Sequence, residues 1–388
     1  MASLGFLSFA AVYNNLLVSP VLVEIARDMG VTVGTAGLLV TAFGLPGIVV
    51  AVLAGPLSDR YGRKPFLVGG TVLMSVLTVL GAVAPGFAHL LLTRVGAGVG
   101  ASVLFPNMNA TIADEFPYQE RGRAMSMVIS LNQLATIVGV PLAGLIASAT
   151  SWRVSFALVG AIGLVAAAVV MRSTRSSPPP ARTEIRVREL FGTIFGDTSV
   201  KGAIASSLLG AIFFFTWITY VVAFFVERFR LPTATASLIV LVTGIGIVAG
   251  SQIGGRVGDR FGHRSVVGWT VVGAGIAMLA VTVFVHDLWL AVALAFVIAA
   301  FSGARFAGNM TLISELAPSA RGTVLSVNSA IVSIGIVVGT SVGGILVDTY
   351  GYEGLGIMTT IAAFASAVIV WRYVTERTAE FAAGEAVD

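Results

Sequence analysis

The stretch "GPLSDRYGRKPFL" occupies Gly55–Leu67, and "GRVGDRFGHRSVV" occupies Gly255–Val267. At an offset of 200 residues, Gly55, Asp59, Arg60 and Gly62 recur as Gly255, Asp259, Arg260 and Gly262, and Lys64 is echoed by Arg264. The same register continues downstream. Asn109, Thr111, Glu115, Arg121, Gly122 and Ser126 return as Asn309, Thr311, Glu315, Arg321, Gly322 and Ser326, and Gly139 and Gly144 return as Gly339 and Gly344. One register held over some ninety residues of each half marks a duplication.

The material between the charged loops decides the setting. Of 388 residues 56% are hydrophobic and 11% charged, too apolar for a water-soluble globule. With a mean hydropathy of +0.95 the chain belongs in a bilayer. Apolar runs of about 20 residues, the length needed to cross hydrocarbon, recur at 4–23, 34–54, 66–85, 87–113, 123–147, 152–171, 200–226, 234–254, 266–285, 288–313, 323–347 and 354–374. These runs are continuous rather than alternating, which excludes barrel strands. The expected fold is all-α, with twelve transmembrane helices in two six-helix halves. An even number of spans per half gives both halves the same membrane orientation, related by an axis along the membrane normal.

Orientation follows from the basic residues. With both termini cytoplasmic, 17 of the 23 Lys and Arg fall in inner loops and tail, four in outer loops and two inside helices. The positive-inside rule selects that topology, in a cytoplasmic membrane. Basic residues dispersed over many loops do not make the single basic face that nucleic acid requires. The most polar stretch, Arg172–Lys201, holds three consecutive prolines and cannot span the membrane. The sequence thus divides into a six-helix bundle over 1–171, a cytoplasmic linker over 172–199, and a second bundle with a short tail over 200–388. Residues 183–195 read equally as a segment lying on the membrane surface or as a simple tether.

Three stretches carry a family likeness. The Gly55–Leu67 loop is similar to the signature G-x-L-a-D-R-x-G-R-K between helices 2 and 3 of the major facilitator superfamily. "LLLTRVGAGVGAS" (Leu90–Ser102) resembles that family's embedded-arginine motif, with Arg94 as the arginine. "GVPLAG" (Gly139–Gly144, containing Pro141) is similar to its antiporter motif, a helix-packing element, with Val140 where glycine usually precedes the proline. With "SWRVSF" at the start of helix 6, the chain most resembles twelve-helix drug:proton antiporters and related sugar and nucleoside efflux permeases. The resemblance implies a cytoplasmic gate in which Gly55, Asp59, Arg60, Gly62, Arg63, Asp114, Glu115, Gly255, Asp259 and Arg260 latch the halves when the protein faces outward.

The residues support chemistry of their own. An arginine near the bilayer centre costs at least ~2.5 kcal/mol, so Arg94 and Arg305 must face a partner or a cavity. Arg94, Gly98, Ser102, Phe105 and Asn109 share one helical face, and Ser302, Arg305 and Asn309 share another. In helix 7, Phe213, Trp217, Tyr220 and Phe224 form an aromatic stripe, with polar handles at Trp217 and Tyr220. Asn132, Gln133, Gln252 and Asn328 are further embedded amides that need partners. Helix 1 carries Asn14 and Asn15 where proton-coupled relatives often place an acid, and an amide holds no exchangeable charge at neutral pH. All 19 acids lie at helix ends, loops or tails, with Glu24 the nearest to an embedded one. Coupling therefore runs through another acid, such as Glu24, Asp59 or Glu115, or is missing.

The chain contains no cysteine and three scattered histidines, so no metal site or cofactor is expected, nor an enzyme's nucleophile–base cluster. No filter motif indicates a channel. The reading is a secondary transporter of small organic molecules, drug-like or metabolite, working by alternating access, with efflux favoured and protons a candidate coupling ion. The alternative is an uncoupled facilitator or importer of a sugar, nucleoside or organic anion. The expected partners are the substrate and the lipid bilayer, with no nucleic acid, and the expected working unit is a monomer.

Overall fold

The structure is a computed structural model that describes residues 1–174, 196–316 and 321–375. The proposed surface segment at 183–195 and most of the linker lie outside the described residues, as do the side chains of Gly55, Asp59 and Arg321. Among the described residues every element is helical. Eleven runs are long and apolar enough to cross a membrane. The last of them turns at Gly351, whose φ of 67° breaks the helix, and so holds two spans. Twelve helices result: α1 (Ala2–Met29), α2 (33–61), α3 (Arg63–Ala82), α4 (Phe87–Glu115), α5 (118–149), α6 (Trp152–Ser173), α7 (Thr198–Phe229), α8 (Thr233–Phe261), α9 (His263–Phe284), α10 (Leu288–Leu316), α11 (321–350) and α12 (352–373).

The two halves share a plan and differ in regularity. In the first half, α1 is interrupted at Leu17, α2 at Leu45 and α4 at Val103, while α5 passes through a π turn at Ala135–Gly139. Each irregularity lies within about a turn before a proline, namely Pro20, Pro46, Pro106 and Pro141. A proline lacks the N–H that would reach back four residues and its ring crowds that carbonyl, so the preceding turn opens. The duplicated positions are Tyr220, Gly246, Phe306 and Ser341, and α7, α8 and α10 run unbroken.

Packing divides the described residues into two compact units. One contains the whole described first half together with Phe215–Gly244 and Ile336–Leu355. The other holds the remainder of the second half. The first unit has a core of Leu7, Phe43, Met74, Ala97 and Leu104, and the second one of Ala203, Val267, Leu312 and Val370. In both, helices meet backbone to backbone. A Cβ at Gly98 would strike the Phe43 carbonyl, and one at Gly303 the Ile247 carbonyl.

The duplicated loops are tight for a backbone reason. Gly62 (φ 89°, ψ 155°) and Gly262 (φ 88°, ψ 138°) link α2 to α3 and α8 to α9 in a conformation open almost only to glycine. Gly62→Ala should therefore lower stability by ~1–3 kcal/mol. Gly69→Ala, at a helical site with no neighbour within 4 Å, should not. Thermal unfolding of the purified variants checks the contrast, and an equal effect at the two positions contradicts it.

Candidate functional site

At the loop end of the first half, Arg63 opens α3 and its Nε lies 3.2 Å from Asp114 Oδ2 at the end of α4. The same guanidinium donates to Ser58 Oγ at 3.0 Å. Arg121 donates to the carbonyls of Ala113 (2.6 Å) and Phe116 (3.1 Å), closing the C-terminus of α4. These contacts lie within one half. In the second half, His263 takes the place of Arg63, with Nε2 3.6 Å from Asp259 Oδ1 and 3.9 Å from Glu315 Oε1. A guanidinium has been replaced by an imidazole that faces two carboxylates. Arg60 and Arg260 are duplicates in geometry too, each lying 5.3 Å over the ring that follows it, Tyr61 or Phe261. Gly255 is half-buried and Asp259 and Arg260 are exposed.

Arg94 is 1% exposed in the interior of the first half. Its Nη1 donates to Asn14 Oδ1 at 3.0 Å and its Nη2 to the Asn14 carbonyl at 3.3 Å. The Phe43 ring lies 4.2 Å from the guanidinium carbon. Asn14 is in turn held by its own amide, which donates to Thr78 Oγ1 at 2.8 Å. No carboxylate pairs with Arg94 among the described residues, so the buried charge is balanced by dipoles and π faces alone. Arg305 stands comparably in the second unit. Its Nη2 donates to the Ser206 carbonyl at 2.6 Å, and its guanidinium lies against Gly210, where a Cβ would collide with it. Asn309 donates to Ser207 Oγ at 2.8 Å, and Asn328 is 1% exposed.

The other sequence candidates distribute as follows. Asn132 accepts from Ser8 Oγ, Asn15 and Gln133 are half-buried, and Asn109 and Gln252 are exposed along their helices. Gly139 lies against the Tyr13 ring and Gly144 against Ser237 and Pro20, while Pro141 follows the π turn of α5. Trp217 is buried with its ring 5.7 Å from Phe224.

Tyr220 leads to a cluster absent from the candidate list. Its hydroxyl donates to the Thr340 carbonyl at 2.9 Å, with the Gly34 carbonyl 3.4 Å away. Gly37 lies against its ring and hydroxyl, leaving no room for a side chain. Cβ atoms at Gly34 and Gly344 would each meet the other's carbonyl, so α2 and α11 touch through bare backbone. Beside them Thr41 Oγ1 bonds Thr340 Oγ1 (2.8 Å) and Ser341 Oγ (3.0 Å). Asp348 finishes the row, accepting from the Gly34 N–H at 2.9 Å and the Thr32 hydroxyl at 2.6 Å at the N-terminus of α2. Ser19 donates to the Ile218 carbonyl, fixing α1 to α7. All these residues belong to the first compact unit, and Gly34 stands at the end of α2 opposite the Gly55–Leu67 loop. At the same end, Asp28 accepts from Trp152 Nε1 (3.0 Å) and Arg153 Nη2 (3.1 Å), which gives "SWR" its role within the first half. The spacings Gly34-x-x-Gly37 and Gly343-Gly344 were the available sequence signal for the clasp.

Comparison with known proteins follows the same architecture. The family model of the Major Facilitator Superfamily matches residues 4–251 and again 203–386, two overlapping matches that together cover nearly the whole chain. The chain belongs to the major facilitator superfamily. It is 30% identical over 380 residues to the MFS-type transporter YceJ of Bacillus subtilis (strain 168), covering 94% of this chain and 93% of YceJ. It is 25% identical over 344 residues to the quinolone resistance protein NorA of Staphylococcus aureus (strain COL), covering 86% of each. A solved bacterial homolog of the human lysosomal transporter Spinster, in an inward-facing and unoccupied conformation, superposes with a TM-score of 0.78 at 17% identity, covering 97% of this chain and 98% of that one. As a superfamily member the chain is a multi-pass membrane transporter and not an enzyme.

Two outcomes are expected from this geometry. Asn14→Ala removes a side-chain acceptor from a buried cation and should cost ~1.5–3 kcal/mol, more than Asn15→Ala, in thermal unfolding. Gly344→Leu cannot coexist with the α2–α11 contact. In a chain that has no cysteine, a probe at Thr340→Cys should therefore label several-fold faster when Gly344→Leu is also present. Unchanged labelling would show that the contact does not shield Thr340.

Proposed function

We propose that the chain exports amphipathic small organic molecules by alternating access, with the duplicated loops on the cytoplasmic side and the clasp around Tyr220 on the outside. The observation that carries this reading is the character of the clasp. Parts of α7 and α11 from the second half are joined to α2 of the first by glycine contacts, hydroxyl bonds and one aspartate on a helix N-terminus. Few buried ion pairs would have to be broken to separate them, which suits a gate that opens and closes. The crowding of Lys and Arg at the opposite end supports the orientation.

The exposed amides support the substrate path. Asn109 lies within an apolar helix, and an amide facing lipid would lack partners, so it is assigned to a water-filled path together with Asn15 and Gln133 of the same unit. The 25% identity to a quinolone resistance protein supports drug-like cargo. We assign Arg94 and Arg305 to fixing the interiors of the two halves and to setting a positive potential there, which favours substrates bearing a hydrogen-bond acceptor or a negative group.

A second reading, an uncoupled facilitator, is favoured by the pairing of Arg94 with the neutral Asn14 where a carboxylate would supply a proton carrier. Glu24 is the remaining candidate carrier near the membrane interior, with Oε2 buried and without a hydrogen-bond partner. Flux of a chemically broad panel in proteoliposomes, with and without an imposed pH gradient, separates the two. Accumulation driven by the gradient and abolished by Glu24→Gln supports an antiporter. Equal flux under both conditions supports the facilitator, and no transport of any organic compound contradicts both.

A further inference from the structure

The second half carries a groove that the transport reading does not use. Between α8, α9 and α10 lies an open cavity of about 640 Å³, within the size range of small-ligand sites. Its floor is made where Gly254 packs on Ala304, so closely that a Cβ on the glycine would lie 2.5 Å from the alanine Cα. Its walls are Val257, Phe261, Phe301 and Trp269. Phe261 and Trp269 are 64% and 67% exposed, which leaves a large apolar surface uncovered by protein.

The groove ends in charge. Phe261 is the last residue of α8, and the guanidinium of Arg260 sits 5.3 Å over its ring. Arg264, on the first turn of α9, donates to the Trp371 carbonyl, and the Trp371 ring lies 4.9 Å from that of Trp269. Arg256, exposed one turn before Arg260, adds a third cation, while Arg264 is half-buried. The acid on this turn, Asp259, faces His263, which also meets Glu315. Tryptophan beside arginine at the end of an apolar span is the arrangement of the headgroup level of a bilayer. The first half supplies an internal comparison. Gly69 stands where the repeat would place Trp269, and nothing approaches within 4 Å of its Cβ position, so the wall is missing there.

We propose that this groove is a binding site for an anionic glycerophospholipid, with one acyl chain against Val257, Trp269 and Phe301 and the phosphate held by Arg260 and Arg264. The proposal does not depend on the direction of transport. A merely apolar groove would take any lipid chain. The two arginines make the preference anionic, through charge-assisted bonds to phosphate oxygens.

The test is contact quenching of tryptophan by phospholipids brominated on the acyl chain, in nanodiscs of phosphatidylcholine with increasing phosphatidylglycerol. The signal of Trp269 is the difference between the unmodified protein and Trp269→Phe. Brominated phosphatidylglycerol should quench that signal at a mole fraction about tenfold lower than brominated phosphatidylcholine does. Arg260→Gln with Arg264→Gln should remove the preference while quenching persists. If that double variant does not fold, Val257→Phe, which narrows the groove and leaves both arginines, should weaken quenching by both lipids. Equal quenching by the two lipids in the unmodified protein would overturn the proposal. So would a preference that survives loss of both arginines, or protection of Trp269 from every lipid by a second copy of the chain.

Discussion

The contact of α2 with α11 at Gly34 and Gly344 is the constraint on which the first compact unit depends. Each glycine occupies the space a Cβ on the other would need, and the Tyr220 hydroxyl bridges their neighbourhood to the Thr340 carbonyl. A helix pair brought this close gains dispersion contacts along its length and needs no side-chain interdigitation. The polar groups beside it are short hydroxyls that bond across the seam, so separation exposes few groups that water cannot satisfy. Asp348 adds direction, since its carboxylate meets the N-terminal end of α2, where partial positive charge collects. The seam is tight, and Asp348 is the one charge the contacts above place on it.

The duplication sets a plan that the halves execute differently. Prolines follow the interruptions of α1, α2, α4 and α5, and with other residues at the counterpart positions α7, α8 and α10 run unbroken. The loop carries Arg63 on Asp114 in one half and His263 between Asp259 and Glu315 in the other. Arg94 is anchored by the amide of Asn14, whereas Arg305 uses a backbone carbonyl under a glycine. Each embedded guanidinium is held by neutral acceptors, which fixes it in place without offering a proton relay.

Much of the fold was legible because a bilayer leaves few options. Twelve continuous apolar runs have only helices available to them, and the repeat register ties the halves together before any contact is known. The glycine between α2 and α3 was legible as a turn, and its positive φ explains why the residue recurs at Gly262. The pairing across the clasp was not legible, although the glycine spacings on each side of it were there to read. Gly34 and Asp348 are separated by 314 positions, and nothing local in "VGTAG" or "ILVDTY" marks them as partners. The aromatic period in α7 located Tyr220 on a stripe, but periodicity gives a face and not the neighbour that covers it. Arg94 was legible as a residue needing compensation. That the compensation comes from Asn14 depends on how α1 and α4 pack, which no spacing encodes.

The central claim is that the clasp between α2 and α11 must part for transport to occur. The direct measurement is a disulfide across it, formed in proteoliposomes from Thr41→Cys with Ser341→Cys, whose native hydroxyls are 3.0 Å apart in a chain that has no other cysteine. Oxidation should link α2 to α11 in high yield and stop substrate flux, and reduction should restore it. Full flux through the cross-linked protein would contradict the account.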